Sequence, residues 1–245
     1  MNVLITRPFE ATDTLPETLR SAGASVLWRP TIEIDLAIPT PELDAALLSI
    51  ESFEWLVFTS TNAVSSVWRR ARALGIPLAH LRSRLVAAVG PATEGALAGL
   101  DIDVQLTASP HTAEGLIAVL APVAARSHFL YPRAARVLPT LVDGLRQLGA
   151  RVTDVTAYVT RPVTLGAEFA SAISKSDCVV FCSPSAIHAA LAFRPALATR
   201  TIACIGPTTA AAAASAGLPV AIIPEQPTAG ALADALLHHL VSLKR

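Results

Sequence analysis

The sequence predicts an α/β protein with two similar domains, each built on a parallel sheet. Three observations support this prediction. Short apolar runs alternate with segments of helical periodicity, four blocks of sequence recur in the same order, and 245 residues are enough for two compact domains. Apolar residues make up 52% of the chain and charged residues only 16%, which disfavours a disordered chain or a solvated coiled coil.

Short apolar runs that end in small polar or Gly/Pro turns are the candidate strands. They are residues 3–5, 26–28, 55–58, 85–89, 104–106, 128–131, 152–155, 178–181, 202–205 and 220–223. Between them, apolar residues recur at intervals of three and four, for example over 137–148 and 232–243, which predicts amphipathic helices. Alternating strands and helices of this kind indicate right-handed βαβ units on parallel sheets.

An internal repeat predicts two similar domains. Residues 4–26 match 130–152, 57–63 match 180–186, 88–93 match 204–209, and 112–116 match 228–232. Because each copy supplies about five strands, each forms a complete doubly wound sheet, and we expect a cleft between the two domains.

Two extended segments bracketed by prolines, 29–39 and 158–162, complicate a simple cut of the chain near residue 125. They occupy equivalent places in the two copies, and both are long enough to cross between domains. If both cross, the first domain is discontinuous. We then expect one domain from residues 1–34 plus 163–245 and an inserted domain from residues 35–162.

Charge and cysteine usage exclude several classes of protein. A net charge of zero and a pI near 7 remove the basic surface expected of a protein that binds nucleic acid or an anionic membrane. The longest uncharged stretch, 201–224, contains Gly206-Pro207 and Pro219, so we interpret it as strand, helix and strand rather than a membrane span. Three cysteines without a C-x-x-C spacing and an N-terminus without an apolar leader predict a cytoplasmic protein with reduced thiols.

Motifs for common cofactors are missing from the sequence. It contains neither G-x-G-x-x-G nor G-x-x-x-x-G-K-[ST], which argues against dinucleotide and Walker-type phosphate sites. The six histidines do not combine with cysteines or acids at a spacing typical of metal ligands. Cys182 follows a candidate strand as a nucleophile would, but no base accompanies it, and its equivalent in the other copy is Thr59.

Candidate binding residues follow the strands, because doubly wound sheets bind ligands beyond the carboxyl ends of their strands. The residues are Arg7, Thr59, Ser60, Asn62, Thr93, Arg133, Ser183, Ser185, Thr208 and Thr209. These turns offer hydrogen-bond donors and two arginines but no acid, which suits a polyanionic ligand. Taken one by one, these residues are more typical of helix caps than of a ligand site.

Tyr158 is the candidate catalytic residue. It is one of two tyrosines and lies in the second crossing segment. Its phenol could donate a proton to a leaving group, or it could simply be an amphipathic side chain that covers the hinge between domains.

The motifs together resemble the uroporphyrinogen-III synthase family over essentially the whole chain. The residues that carry the resemblance are Leu4-Ile5-Thr6-Arg7-Pro8, Phe58-Thr59-Ser60 with Asn62-Ala63, Val89-Gly90 with Thr93, Glu114-Gly115-Leu116, Tyr131-Pro132-Arg133, Gly149-Ala150 leading to Tyr158, and Gly206-Pro207-Thr208-Thr209. The resemblance implies two flavodoxin-like domains joined by a two-stranded linker.

The resemblance also implies an activity. Members of this family take the linear tetrapyrrole hydroxymethylbilane, remove water, invert the last pyrrole ring and close the macrocycle of uroporphyrinogen III in haem biosynthesis, without cofactor or metal. Tyr158 would then assist departure of the hydroxyl, and Thr209 would contact the substrate. The expected partners are the substrate and the enzyme that forms it, with no nucleic acid or membrane. A two-domain binding or sensor protein without turnover is the alternative, and formation of product distinguishes the two.

Overall fold

The computed structural model describes residues 1–9, 13–36, 38 and 40–242, which form two compact units. Unit 1 contains Met1–Glu33 and Arg161–Arg245, and unit 2 contains Ile34–Thr160. The chain therefore leaves the first unit, builds the second, and returns to the first.

The secondary structure alternates between strands and helices, as the apolar runs predict. The strands are β1 (Asn2–Ile5), β2 (Ser25–Trp28), β3 (Ile32–Asp35), β4 (Trp55–Phe58), β5 (Leu85–Ala88), β6 (Leu106–Thr107), β7 (His128–Ala134), β8 (Arg151–Pro162), β9 (Cys178–Phe181), β10 (Thr201–Cys204) and β11 (Val220–Ile222). The helices are α1 (Leu15–Ser21), α2 (Pro41–Leu48), α3 (Thr61–Ala73), α4 (Leu78–Arg82), α5 (Pro91–Ala98), α6 (Ala113–Ala124), α7 (Thr140–Gln147), α8 (Ala167–Lys175), α9 (Pro184–Ala189), α10 (Arg194–Leu197), α11 (Pro207–Ser215) and α12 (Ala229–Ser242), with 3₁₀ turns at Ile50–Ser52 and Leu191–Phe193.

Unit 1 is a five-stranded sheet in the order β11-β10-β9-β1-β2, with helices on both faces. Its strands pair in parallel. Alternate residues of β1 point to opposite faces, so Val3 and Ile5 pack with α1 and α12, while Leu4 packs with the core formed by α8, α9, α10 and α11. The sheet is therefore buried on both sides, as parallel sheets require.

Unit 2 has the same design in a six-stranded sheet of order β3-β8-β7-β4-β5-β6. Strands β4 to β8 pair in parallel. One face is covered by a core that includes residues of α2, α3, α4 and α5, and the other by a core that includes residues of α6 and α7. The carboxyl ends of β4 and β5 lead directly into α3 and α5.

The internal repeat is confirmed by strand order. Replacing β1, β2, β9, β10 and β11 by β7, β8, β4, β5 and β6 converts the order of the first sheet into that of five strands of the second, which has β3 as an additional edge strand. Equivalent turns also share their backbone conformation: Ser60 and Ser183 have φ/ψ of −159/151° and −158/153°, and each caps the following helix. Thr112 and Thr228 each accept a hydrogen bond from a backbone N–H three residues later, at 3.1 and 3.2 Å.

Some predicted elements differ from those observed. The helix expected over 137–148 begins only at Thr140, and Val137 and Leu138 lie outside it with exposed side chains. Pro139 accounts for this, because the residue before a proline is disfavoured in helical conformation. The weak strand expected at 104–106 is reduced to Leu106–Thr107, at the edge of its sheet.

The two extended segments contain regular strands. Residues 29–39 include β3, and the run at 152–155 continues through residue 162 as β8. Pro39 and Leu243, which belong to the predicted extended and helical segments, lie outside the described residues.

The uncharged stretch 201–224 forms β10, α11 and β11, as its glycines and prolines predict. In the part of the chain that the structure describes, none of the helices combines the length and apolar character needed to cross a membrane.

Candidate active site

In unit 2, the predicted residues lie where strands end and helices begin. Thr59 and Ser60 join β4 to α3, and Asn62 lies in the first turn of α3. Thr93 lies in the first turn of α5, whereas Arg133 and Tyr158 are strand residues of β7 and β8. The order of the sheet places β8, β7, β4 and β5 side by side. These residues therefore lie along the edge of the sheet that is formed by the carboxyl ends of its parallel strands.

Ser60 and Tyr158 form the central contact of this edge. The Ser60 Oγ lies 3.0 Å from the phenolic oxygen of Tyr158, and either atom can donate. Ser60 Oγ also accepts the backbone N–H of Ala63 at 3.2 Å. The serine hydroxyl has one proton, so when its oxygen accepts from Ala63 that proton remains available for Tyr158. Tyr158 itself is only 8% exposed.

A register shift in β8 directs the Tyr158 side chain toward α3. Arg133 pairs with Thr156, but the next residue of β7, Ala134, pairs with Tyr158. Ala157 is therefore an additional residue in the ladder, and such a bulge turns the following side chain. As a result Tyr158 joins the same core as Val155 and Ala157, the core that contains the buried face of α3.

Tyr131 forms a second hydroxyl pair, which the sequence did not identify as a candidate. Its phenolic oxygen lies 3.1 Å from Thr59 Oγ1. Burial raises the pKa of the Tyr131 phenol above its ordinary value of 10.0, and the hydrogen bond with Thr59 opposes this shift. Tyr131 packs in the core under α6 and α7, so the adjacent residues Thr59 and Ser60 serve tyrosines on opposite faces of the sheet. A tyrosine within a buried strand was the available signal.

Arg133 forms an ion pair with Asp154, which the sequence did not identify as a candidate. Its Nε and Nη2 lie 2.9 and 2.8 Å from Asp154 Oδ2, and Arg146 Nη2 lies 3.2 Å from Oδ1. Arg133 Nη1 donates to the carbonyl oxygen of Ala134 at 3.0 Å. Asp154 is the one acid in strand β8, and this was the available signal. The pair fixes the direction of the Arg133 guanidinium.

In unit 1, Arg7 occupies the position equivalent to Arg133. Its guanidinium forms an ion pair with Asp13, and Nη1 lies 3.9 Å from Cys182 Sγ. The indole Nε1 of Trp28 donates to the Arg7 carbonyl oxygen at 2.7 Å. Both arginines of the predicted site are therefore paired with aspartates, although the strand-end turns themselves contain no acid.

The remaining predicted residues of unit 1 follow β9 and β10. Ser183 Oγ lies 3.0 Å from Ser185 Oγ and caps α9 through the N–H of Ala186 at 3.2 Å. Thr208 is exposed, whereas Thr209 is only 4% exposed. Thr93 occupies the place of Thr209 in the other unit and is buried to the same degree, at 4%.

Among the predicted residues, the structure brings together only some. Side-chain hydrogen bonds join Ser60 to Tyr158 and Ser183 to Ser185. Within the described residues, side-chain hydrogen bonds do not connect Asn62, Thr93 or Thr208 to other predicted residues. Helix capping, the alternative interpretation of these turns, is confirmed for Ser60 and Ser183, while Gly90 and Gly206 occupy the cap positions before Thr93 and Thr209.

The cysteines are all free thiols. Burial raises the pKa of Cys178 and of Cys204 to about 12, so both remain protonated at neutral pH. Within the described ranges, no group of three or more His, Cys, Asp or Glu side chains is arranged to hold a metal ion.

Comparisons with solved structures agree with the fold. A uroporphyrinogen-III synthetase from Helicobacter pylori matches 99% of this chain and 99% of its own, with 21% identity and a TM-score of 0.69. A mutant uroporphyrinogen III synthase from Thermus thermophilus matches 99% of both chains, with 17% identity and a TM-score of 0.67. At these identities the comparison concerns the fold alone.

Sequence comparisons identify the family of this chain. A uroporphyrinogen-III synthase of Synechococcus elongatus is 30% identical over 165 residues, which cover 65% of this chain and 60% of that protein. A uroporphyrinogen-III synthase of Chlorobaculum parvum is 28% identical over 232 residues, 91% of this chain and 92% of that protein. The family model described as uroporphyrinogen-III synthase HemD matches residues 13–234, so this chain belongs to the uroporphyrinogen-III synthase family.

Proposed function

We propose that this chain closes hydroxymethylbilane to uroporphyrinogen III, with loss of water and inversion of the last pyrrole ring. The observation that carries the proposal is the Ser60–Tyr158 hydroxyl pair, at the edge of the sheet where doubly wound folds bind their ligands. The family match over residues 13–234 supports the same reaction.

The proposed substrate is an octacarboxylate, and the polar groups at the strand ends suit it. The binding groups are the side chains of Arg7, Thr59, Ser60, Asn62, Thr93, Arg133, Ser183, Ser185, Thr208 and Thr209, together with backbone N–H groups at the helix N-termini. Hydrogen bonds to charged carboxylates contribute roughly 1.5–3 kcal/mol each. The aspartate pairing of Arg7 and Arg133 keeps each guanidinium oriented before the substrate arrives.

Tyr158 is the proposed proton donor to the departing hydroxyl. Ser60 accepts the N–H of Ala63 and donates its own proton to the Tyr158 oxygen, which leaves the phenolic proton free to point at the substrate. A donor and acceptor chain of this kind strengthens each of its hydrogen bonds. The proton supplied by Tyr158 departs with the hydroxyl as water, which leaves an electrophilic carbon on the bilane and a phenolate at Tyr158. The proton released when the newly closed pyrrole ring regains its aromaticity returns to the phenolate.

Control of ring closure is the second part of the proposed mechanism. Unaided closure gives the uninverted type I isomer, so the protein must hold the bilane where the substituted carbon of the last ring attacks. Fixed strand-end groups achieve this by restricting the conformations of a flexible substrate.

We further propose that the reaction takes place in the cytoplasm, on bilane released by the enzyme that forms it, without nucleic acid or membrane as partner. The three free thiols are consistent with a reducing compartment. The net charge of zero gives no electrostatic reason for association with nucleic acid or an anionic membrane.

The test supplies freshly generated hydroxymethylbilane to the purified protein, oxidises the products and separates the type I and type III porphyrin isomers. An excess of type III over a reaction without protein is the expected result. Only type I, together with measurable binding of the bilane, would instead identify a binding protein without turnover.

A further inference from the structure

We infer that Ser66 is a positioning residue for Tyr158. This inference rests on the proposed role of Tyr158 in the reaction, and it concerns a buried hydroxyl that neither the substrate-binding groups nor the proton transfer uses. Ser66 lies in α3 and is 1% exposed.

The contacts of Ser66 explain why a hydroxyl occupies this buried position. Ser66 Oγ donates to the main-chain carbonyl oxygen of Ala157, and the carbonyl oxygen of Leu36 lies 3.4 Å away as a second acceptor. A buried hydroxyl without a partner is costly, so these contacts are the reason that serine is tolerated within an apolar core.

Ala157 is the residue at which β8 changes register. It has no partner on β7, since Thr156 pairs with Arg133 and Tyr158 pairs with Ala134. A bulge needs its irregular backbone groups held if it is to direct a side chain in one orientation. The Ser66 hydroxyl holds this irregular residue by its carbonyl oxygen, one peptide unit before the Tyr158 Cα.

Helix α3 therefore contacts Tyr158 and its backbone at two separate points. Ser60, which caps the helix, contacts the phenolic oxygen at 3.0 Å, and Ser66, within the helix, contacts the preceding carbonyl. A third contact, from the Ala135 N–H to the Tyr158 carbonyl oxygen at 3.0 Å, completes the support. If the Ser66 contact is removed, the bulge can relax and the distance between the phenol and the Ser60 hydroxyl changes.

The experiment compares Ser66→Ala with Ser65→Ala, the adjacent and exposed serine of the same helix. Because the chain has two tyrosines, labelling with [¹³Cζ]tyrosine gives two resonances, and the one lost in Tyr158→Phe belongs to Tyr158. The ¹³Cζ shift reports hydrogen bonding at the phenol and does not depend on activity. Thermal melting establishes that each variant is folded.

We expect Ser66→Ala to shift the Tyr158 resonance and to leave KM for the bilane near its original value. Its kcat should fall by about tenfold, less than the roughly 100-fold that a misplacement of 1 Å can cost. Ser65→Ala should reproduce the original protein in both measurements.

The inference is overturned if folded Ser66→Ala retains the original Tyr158 resonance, or if Ser65→Ala has the same effects. It is also overturned if only KM changes, because a positioning residue for Tyr158 acts on turnover. If the original protein forms no type III product while the resonance still shifts in Ser66→Ala, the contact is confirmed and the proposed function fails.

Discussion

The side-chain oxygens of Ser60 and Tyr158 lie 3.0 Å apart although 98 residues separate them in the chain. Ser60 caps a helix in the manner of its counterpart Ser183, but the Ser60 hydroxyl contacts Tyr158 whereas the Ser183 hydroxyl contacts Ser185. The two repeated units thus share the backbone conformation of this turn, and the hydrogen bond between Ser60 and Tyr158 distinguishes the turn of unit 2.

Replacing Tyr158 with phenylalanine tests the proposed proton donor. The change removes one oxygen and keeps the ring in its core, so the fold should remain intact. We expect kcat to fall by roughly 100-fold, the lower end of the usual contribution of a positioned acid or base. Turnover is measured as type III porphyrin formed per unit time after oxidation of the products. An unchanged rate would remove Tyr158 from the mechanism.

The equivalent serines Ser60 and Ser183 allow capping to be separated from catalysis. Each accepts a backbone N–H at 3.2 Å, so Ser60→Ala and Ser183→Ala should each lower the free energy of unfolding by about 1 kcal/mol. Only Ser60→Ala also removes the contact with Tyr158, so we expect it alone to lower kcat markedly, whereas Ser183→Ala, which removes a proposed substrate-binding hydroxyl, should act on KM. Urea denaturation and steady-state kinetics check the two effects. Equal losses of kcat in both variants would mean that the contact with Tyr158 does not contribute to turnover.

Asp154 is expected to matter for substrate affinity through Arg133. In Asp154→Ala the guanidinium of Arg133 loses the carboxylate that orients it, and KM for the bilane should rise several-fold. Asp44→Ala is the matched control, because Asp44 pairs with Arg70 between α2 and α3, away from the strand ends. Steady-state kinetics of both variants provide the measurement. A KM that rises equally in the control would point to a general loss of stability.

The buried thiols predict a loss of stability at high pH. In the folded protein the pKa of Cys178 and of Cys204 is about 12, above the ordinary 9.0 of an unfolded chain. Their contribution is therefore complete below about pH 9 and is lost as the pH rises toward about 12, since the unfolded chain releases these protons first.

Urea denaturation in the presence of a reductant, at pH 8 and at pH 10.5, measures this loss. Replacement of Cys178 and Cys204 by alanine should make the free energy of unfolding less dependent on pH across this interval. A dependence identical to that of the original protein would show that other groups, such as the buried Tyr131 phenol, are responsible.

Local patterns were sufficient for much of the architecture. The alternation of apolar runs and helical segments predicted every strand except β3, and the four repeated blocks predicted two similar doubly wound sheets. The residues of the turns after the strands identified candidate ligand-binding side chains. These properties depend on neighbouring residues and on periodicity, so they can be read without knowledge of distant contacts.

The tertiary structure decided how those residues are used. The register shift at Ala157 brings Tyr158 into hydrogen-bond distance of Ser60. Tyr131 forms a hydrogen bond with Thr59, and Asp154 accepts one from Arg133. Each contact joins segments from different strands or turns, and the register between two strands follows from packing of whole sheets and helices rather than from either segment alone. The amino-acid sequence therefore determined which groups stand at the sheet edges, and only folding determined which of them are paired.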